Sequence, residues 1–172
     1  RGPMPALRAV RTLLPIADAL AAAHGKRIVH RDLKPENIFL AVTEDNRSQP
    51  KLVDFGIAKL EREDSQRITQ LGATMGSPAY MSPEQARGFD VDARTDVWAF
   101  CVVLYETLTG QLPFSGTTYT ALVCAILESQ PKSIMELGIP EAELWQVIAR
   151  GLNKDPAWRW QSIRELGATL AH

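Results

Sequence analysis

The stretch that decides the fold runs from His30 to Gly56 and reads HRDLKPENIFLAVTEDNRSQPKLVDFG. Its apolar residues Ile38–Val42 predict a buried strand, and Lys51–Val53 predict a second strand after a polar turn over Thr43–Gln49. In an antiparallel hairpin, the residue that enters the first strand lies near the residue that leaves the second. Polar side chains from both ends of the stretch are therefore expected to meet at the mouth of this hairpin: Asp32, Lys34, Asn37 and Asp54.

These four side chains have the chemistry of a phosphate site. Two carboxylates and an amide oxygen suit Mg²⁺, which binds through one or two carboxylates together with substrate phosphates. A neighbouring lysine suits a phosphate group. Phosphoryl transfer needs this equipment, because it depends on charge neutralisation, on positioning and on a carboxylate that orients a hydroxyl.

Outward from the hairpin, the pattern becomes mainly helical. Helical spacing runs from Leu7 to Ala21 with a stop at Gly25, and Pro15 is expected to kink this segment or divide it into two helices. The almost wholly apolar segment Asp92–Thr109, closed by Gly110, predicts a buried central helix. Three further helices are predicted at Thr118–Ser129, at Pro140–Leu152 with Pro140 in the first helical position, and at Ser162–Ala171.

Composition excludes several classes of protein. The 172 residues are 45% hydrophobic and 23% charged, as in an ordinary globular domain, and the formal charge of −1 gives no reason to expect nucleic acid or an anionic membrane as a partner. Two cysteines form no disulfide framework, which favours a reducing, cytoplasmic setting. Cys101 and the tryptophans are interpreted as packing residues: Trp98, Trp145, Trp158 and Trp160.

Five motifs in sequence order resemble those of the protein kinase superfamily. His30–Asn37 resembles the catalytic loop, and Asp54-Phe55-Gly56 resembles the metal-binding triplet. Gly76–Glu84 resembles the end of the activation segment. The remaining two resemblances are Asp96-Val97-Trp98 to the start of the central helix of the C-terminal lobe, and Asp155-Pro156 with Arg159 to the motif whose arginine pairs with Glu84.

The wording of these motifs is most similar to the bacterial eukaryotic-like Ser/Thr kinases. The resemblance implies an α+β fold that is mainly α-helical: the C-terminal lobe of a protein kinase domain over residues 1–172, with a small β-hairpin at the active site and an activation segment at 54–84. It also implies transfer of the γ-phosphate of ATP to protein Ser or Thr hydroxyls, with Mg²⁺ or alternatively Mn²⁺, and with autophosphorylation and regulation through the activation segment.

By the same resemblance, the site residues take separate roles. Asp32 orients the substrate hydroxyl, Lys34 contacts the γ-phosphate, and Asn37 and Asp54 hold the metal ions. Arg31 implies regulation by pairing with a phosphate on the activation segment. The candidate regulatory hydroxyls are Thr69, Thr74 and Ser77. Structural roles fall to the remaining residues: His30, Asp96, and the ion pair of Glu84 with Arg159.

The resemblance also implies an N-terminal lobe with a Gly-rich loop and a strand lysine, and the 172 residues contain neither motif. That lobe is therefore the expected partner, and this chain by itself is expected to show negligible activity and weak nucleotide affinity. No segment of the chain is expected to contact a membrane, although the parent protein could be anchored elsewhere. Two alternatives stay open: a kinase-like binding module that transfers no phosphate, and a magnesium-dependent hydrolase using Asp32, Asn37 and Asp54.

Overall fold

The structure is a computed structural model that describes residues 3–42, 48–54 and 78–172. Within these ranges it contains two β-strands, six α-helices and four short 3₁₀ turns. The strands are β1 (Ile38–Val42) and β2 (Ser48–Leu52). The helices are α1 (Ala6–His24), α2 (Pro83–Ala86), α3 (Arg94–Thr109), α4 (Tyr119–Glu128), α5 (Ala142–Gly151) and α6 (Ile163–Leu170). The mainly helical α+β fold is the one expected from the sequence.

Helix α3 forms the centre of the core, as its apolar sequence predicts. Twelve of its sixteen residues are buried, and Gly110 ends it in the left-handed conformation, with φ of 70°. Around it lie the buried face of α1 and residues from α5 and α6, including Ile148 and Leu166. A helix buried on all sides needs apolar residues on all sides, which explains why α3 lacks the polar face of the surface helices.

Strands β1 and β2 form an antiparallel two-stranded sheet in which Ile38 pairs with Leu52 and Val42 pairs with Ser48. The predicted hairpin is confirmed, with two corrections. The second strand begins at Ser48 rather than at Lys51 and ends before Val53. Strand β1 is not buried as predicted: Phe39, Leu40 and Val42 are exposed, because among the described residues the sheet lies against α1 mainly through β2. The backbone N–H of Val53 still donates to the carbonyl oxygen of Asn37 at 3.0 Å. This bond carries the pairing one step beyond the strand, to the position next to Asp54.

Helix α1 is a single helix of nineteen residues. Of the two outcomes expected at Pro15, a kink or a division into two helices, the division is therefore wrong. Proline removes one backbone hydrogen bond, which leaves the carbonyl of Arg11 without its helical donor. Arg11 lies on the exposed side of α1, while Leu13, Ile16 and Leu20 are buried on the other. Burial of that apolar face offsets the lost bond and keeps the helix continuous.

Two smaller predictions are also corrected. Pro140 precedes the N-cap residue Glu141 instead of occupying the first turn, because α5 begins at Ala142. Trp158 is 72% exposed, whereas Trp98 and Trp160 are buried as predicted, and Cys101 is fully buried. Trp158 ends the 3₁₀ turn Pro156–Trp158, which directs this ring outward while the next side chain enters the core.

Candidate active site

The mouth of the hairpin brings several of the predicted site residues together. The Nζ of Lys34 lies 3.2 Å from Oδ2 of Asp32, and the Nδ2 of Asn37 donates to the Asp32 carbonyl oxygen at 2.8 Å. Asn37 is buried and ends the 3₁₀ turn Pro35–Asn37, which delivers the chain into β1. Asp54 is exposed at the other end of the hairpin, next to Val53, whose N–H is bonded to Asn37.

The donor set at this mouth fits a magnesium ion. The amide of Asn37 uses its Nδ2 group on the backbone, so its Oδ1 oxygen keeps its capacity to accept or to ligate. Asp54 adds an exposed carboxylate. In the described part of the chain, no group of three or more His, Cys, Asp or Glu side chains could hold a metal ion. Mg²⁺ is commonly held by one or two protein oxygen ligands together with substrate phosphates, and it rarely occupies a site formed by protein ligands alone.

Two residues at this site hold left-handed backbone conformations. Arg31 has φ of 65° and Asp54 has φ of 54°. Such conformations are unfavourable for residues with a Cβ atom and persist where the surroundings fix them. They lie immediately before Asp32 and at the exit of β2, so the backbone turns sharply on both sides of the site.

Asp96, at the start of α3, fixes the first of these turns. Its fully buried carboxylate accepts from the backbone N–H of His30 at 2.8 Å and from that of Arg31 at 2.9 Å. The same carboxylate lies 2.7 Å from Nε2 of His24 at the end of α1. The segment before Asp32 is thereby attached to the start of α3 and the end of α1.

His30 is fully buried and bridges the two ends of the hairpin. Its Nδ1 accepts from the backbone N–H of Asp32 at 3.3 Å, and its Nε2 lies 3.2 Å from the carbonyl oxygen of Val53. Because Nδ1 faces a donor and Nε2 faces an acceptor, the ring carries its proton on Nε2. With both ring nitrogens in hydrogen bonds, His30 serves a structural purpose better than proton transfer.

Glu84 and Arg159 form a buried, bidentate ion pair. Nη1 of Arg159 lies 2.8 Å from Oε1 of Glu84, and Nη2 lies 2.7 Å from Oε2. Although burial would raise the pKa of Glu84, the hydrogen bonds and charge of Arg159, with a further hydrogen bond from Thr95, hold that pKa below its ordinary value. The pair attaches α2 to the segment before α6.

Tyr80, four residues before Glu84, makes a partly buried polar contact with α3. Its hydroxyl donates to Oε2 of Glu106 at 2.6 Å. Burial, followed by the hydrogen bond and charge of Glu106, raises the pKa of this hydroxyl well above its usual value. Thr69, Thr74 and Ser77, the predicted regulatory hydroxyls, lie outside the described residues, as does most of the expected activation segment.

Sequence reasoning missed two polar residues that support this site. From the sequence, His24 is only a basic residue in the last turn of α1, and its position in the sequence does not predict a contact with Asp96. Gln85 donates from Nε2 to the carbonyl oxygen of Arg31 at 2.8 Å. Its only sequence signal was local: the spacing of Ser82 and Gln85 is that of a capping box, which the structure contains.

Comparison with known proteins defines the class of the chain. Residues 2–168 match the family described as the protein kinase domain, so the chain belongs to the protein kinase family. This confirms the resemblance read from the motifs.

The similar curated proteins are bacterial. The chain is 41% identical to serine/threonine-protein kinase pkn2 of Myxococcus xanthus over 99% of its length and 21% of that protein. It is 38% identical to serine/threonine-protein kinase PknB of Mycobacterium tuberculosis (98% of the chain, 26% of that protein). It is 43% identical to serine/threonine-protein kinase Pkn1 of M. xanthus (94% and 23%). The chain thus spans about a quarter of the length of these relatives.

Proposed function

We propose that the protein carrying this chain is a Ser/Thr protein kinase that transfers the γ-phosphate of ATP to protein hydroxyls. The observation that carries the proposal is the group formed by Asp32, Lys34 and Asn37 at the hairpin mouth, with Asp54 at its exit. Membership in the protein kinase family and similarity to bacterial kinases named for Ser and Thr support it.

In this proposal each residue does one task. Asp32 orients the substrate hydroxyl and accepts its proton, while Lys34, 3.2 Å from Asp32, contacts the phosphoryl group being transferred. Mg²⁺ would be held by Asn37 and Asp54, with Mn²⁺ as an alternative, and would neutralise the charge of the ATP phosphates. His30 and Asp96 hold the loop in place without touching the substrate.

The domain assignment is part of the same proposal. Residues 1–172 form the C-terminal lobe of a kinase domain, with an activation segment at 54–84 and an N-terminal lobe as its partner. We assign regulation to that segment, with Arg31 pairing to a phosphate on Thr69 or Thr74 and with Ser77 close to the catalytic loop. Since ATP is the phosphate donor, we place the kinase domain in the cytoplasm.

None of the helices within the described ranges combines the length and apolar character that a bilayer crossing requires.

The test compares the complete protein with its Asp32→Asn variant. After incubation with ATP and Mg²⁺, we expect phosphorylated Ser or Thr in the unaltered protein and a loss of at least about 100-fold in rate for the variant, because a positioned base contributes 10²–10⁴-fold. Asp18→Asn, an exposed carboxylate on α1, is the matched control and should keep full activity. If the unaltered protein forms no phosphorylated Ser or Thr and Asp32→Asn behaves identically, the kinase is refuted and a binding module is favoured. Equal, measurable rates in both would refute the role of Asp32.

A further inference from the structure

The backbone before Asp32 is held from two directions. Asp96 accepts from the N–H of Arg31, and Gln85 donates to the carbonyl oxygen of Arg31 at 2.8 Å. Arg31 is in the left-handed conformation, which requires outside support for a residue with a Cβ atom. The two side chains come from different helices: Asp96 of α3 binds the N–H of Arg31, and Gln85 of α2 binds its carbonyl oxygen.

The Gln85 contact acts directly on the position of Asp32. A peptide unit is planar, so fixing the carbonyl oxygen of Arg31 sets the orientation of the whole unit that ends at the Asp32 Cα atom. The N–H of that unit is also bonded, to Nδ1 of His30 at 3.3 Å. Gln85 therefore acts one bond away from the residue proposed to orient the substrate.

The orientation of the Gln85 amide is determined by its neighbours. Its Oε1 oxygen accepts from the backbone N–H of Ser82 at 3.0 Å, as part of the capping box of α2. Its Nε2 group faces the Arg31 carbonyl oxygen. The reverse orientation would set oxygen against oxygen and N–H against N–H, so only one orientation satisfies both partners.

Gln85 also ends a continuous chain of polar contacts that begins at the buried ion pair. Arg159 binds Glu84, whose Oε1 accepts from the hydroxyl of Thr95 at 2.7 Å. The Thr95 hydroxyl lies 3.4 Å from that of Ser82, and Ser82 binds Gln85. The chain therefore connects the segment before α6 to the catalytic loop through α2, the helix that begins in the last two residues of the expected activation segment.

We infer that Gln85 is a positioning residue for the kinase reaction, which couples the end of the activation segment to the peptide unit preceding Asp32. The inference rests on the proposed function. Gln85 has two separable tasks: its acceptor oxygen caps α2, and its donor nitrogen holds the catalytic loop. A merely structural residue would need only the first task.

Two substitutions in the complete protein separate these tasks. Gln85→Glu keeps an acceptor for the Ser82 N–H but places a carboxylate against the Arg31 carbonyl oxygen. Gln85→Lys keeps a donor for that oxygen but removes the acceptor for the cap. Gln146→Glu, exposed on α5, is the control for the change of charge.

We expect Gln85→Glu to lower kcat about tenfold, the order of effect of one lost positioning hydrogen bond plus repulsion. KM for ATP should stay within about twofold, and the thermal midpoint should lie only a few degrees below that of Gln146→Glu, as expected for one lost hydrogen bond. Gln85→Lys should keep kcat within about threefold while lowering the thermal midpoint. By hydrogen exchange, the peptide covering residues 28–34 should exchange about tenfold faster in Gln85→Glu and near the unaltered rate in Gln85→Lys.

The outcomes distinguish this inference from the proposed function. If the unaltered protein is active and Gln85→Glu matches Gln146→Glu in both kcat and exchange, the positioning role is overturned and the kinase stands. If Gln85→Lys lowers kcat as much as Gln85→Glu does, the loss of activity is caused by the lost cap of α2 rather than by the lost bond to the Arg31 carbonyl oxygen. The inference then also fails. If the unaltered protein transfers no phosphate, the proposed function fails, while the exchange rates still decide whether Gln85 holds the loop.

Discussion

Removing one partner of the Glu84–Arg159 pair is expected to lower the free energy of unfolding by about 3–5 kcal/mol, the usual result of leaving one buried charge uncompensated. Arg159 is fully buried and Glu84 is 7% exposed, so water cannot replace the missing partner. In Arg159→Met, Glu84 keeps the hydrogen bond from Thr95 but loses both contacts with the guanidinium group. In Glu84→Gln, the Arg159 charge keeps contacts with carbonyl oxygens, including that of Asn153 at 2.7 Å.

Urea unfolding of the 172-residue chain measures this loss. With a slope of about 2 kcal/mol per M, a loss of 3–5 kcal/mol moves the midpoint down by about 1.5–2.5 M. The double variant should lose about 2 kcal/mol less than the sum of the single variants, because the second substitution removes the charge that the first left unpaired. The expected loss of about 3–5 kcal/mol is a large part of the 5–15 kcal/mol that stabilises a typical domain. Partial unfolding of a single variant at 25 °C would therefore agree with the reasoning.

The control is the surface pair of Arg150 with Glu165. Its atoms lie 3.5 Å apart and both side chains are 44% exposed, so Arg150→Met should cost about 1 kcal/mol or less. The reasoning is refuted if Arg159→Met costs no more than Arg150→Met. It is also refuted if the losses from the two single substitutions at the buried pair simply add, because the two groups would then not act on each other.

Three further predictions concern the core and its charges. Because the folded pKa of Glu84 lies below its ordinary value of 4.5, its ionised form stabilises the fold above that pH. The difference in unfolding free energy between the unaltered chain and Glu84→Gln should therefore shrink as the pH falls below about 4.5, and a constant difference from pH 7 to pH 3 would contradict this. Burial raises the pKa of Cys101 to about 12, so iodoacetamide at pH 8 should alkylate exposed Cys124 first, as mapped by mass spectrometry; equal rates in the native chain would be inconsistent with the packing. A Cβ atom at Gly151 would collide with the Cys101 sulfur, so Gly151→Ala should cost about 1–3 kcal/mol in thermal unfolding and Cys101→Ala should restore most of it; no recovery in the double variant would disprove the collision.

The local pattern of the sequence was sufficient for the elements nearest the site. The hairpin and the buried helix α3 were predictable because apolar runs, the polar turn between the strands and the glycine at position 110 act over a few neighbouring residues. The motif residues Asp32, Lys34 and Asn37 lie within six positions of each other, so one turn before β1 brings them together. Their proposed roles came from the resemblance to kinases.

Contacts between distant elements could not be predicted in the same way. Pro15 indicated a break in α1, but burial of Leu13, Ile16 and Leu20 keeps the helix continuous. Trp158 was expected in the core and lies outside it, because its short turn faces water.

The sequence by itself determined the local elements around the site and which candidate residues they bring together, because both follow from short spacings along the chain. Only the tertiary structure decided how the loop before Asp32 is held. His24, Gln85 and Asp96 are separated from that loop or from each other by up to 72 positions in the sequence, and they meet because α1, α2 and α3 pack around one core. Hydrogen bonds across such separations depend on where whole helices lie, and no local spacing specifies that.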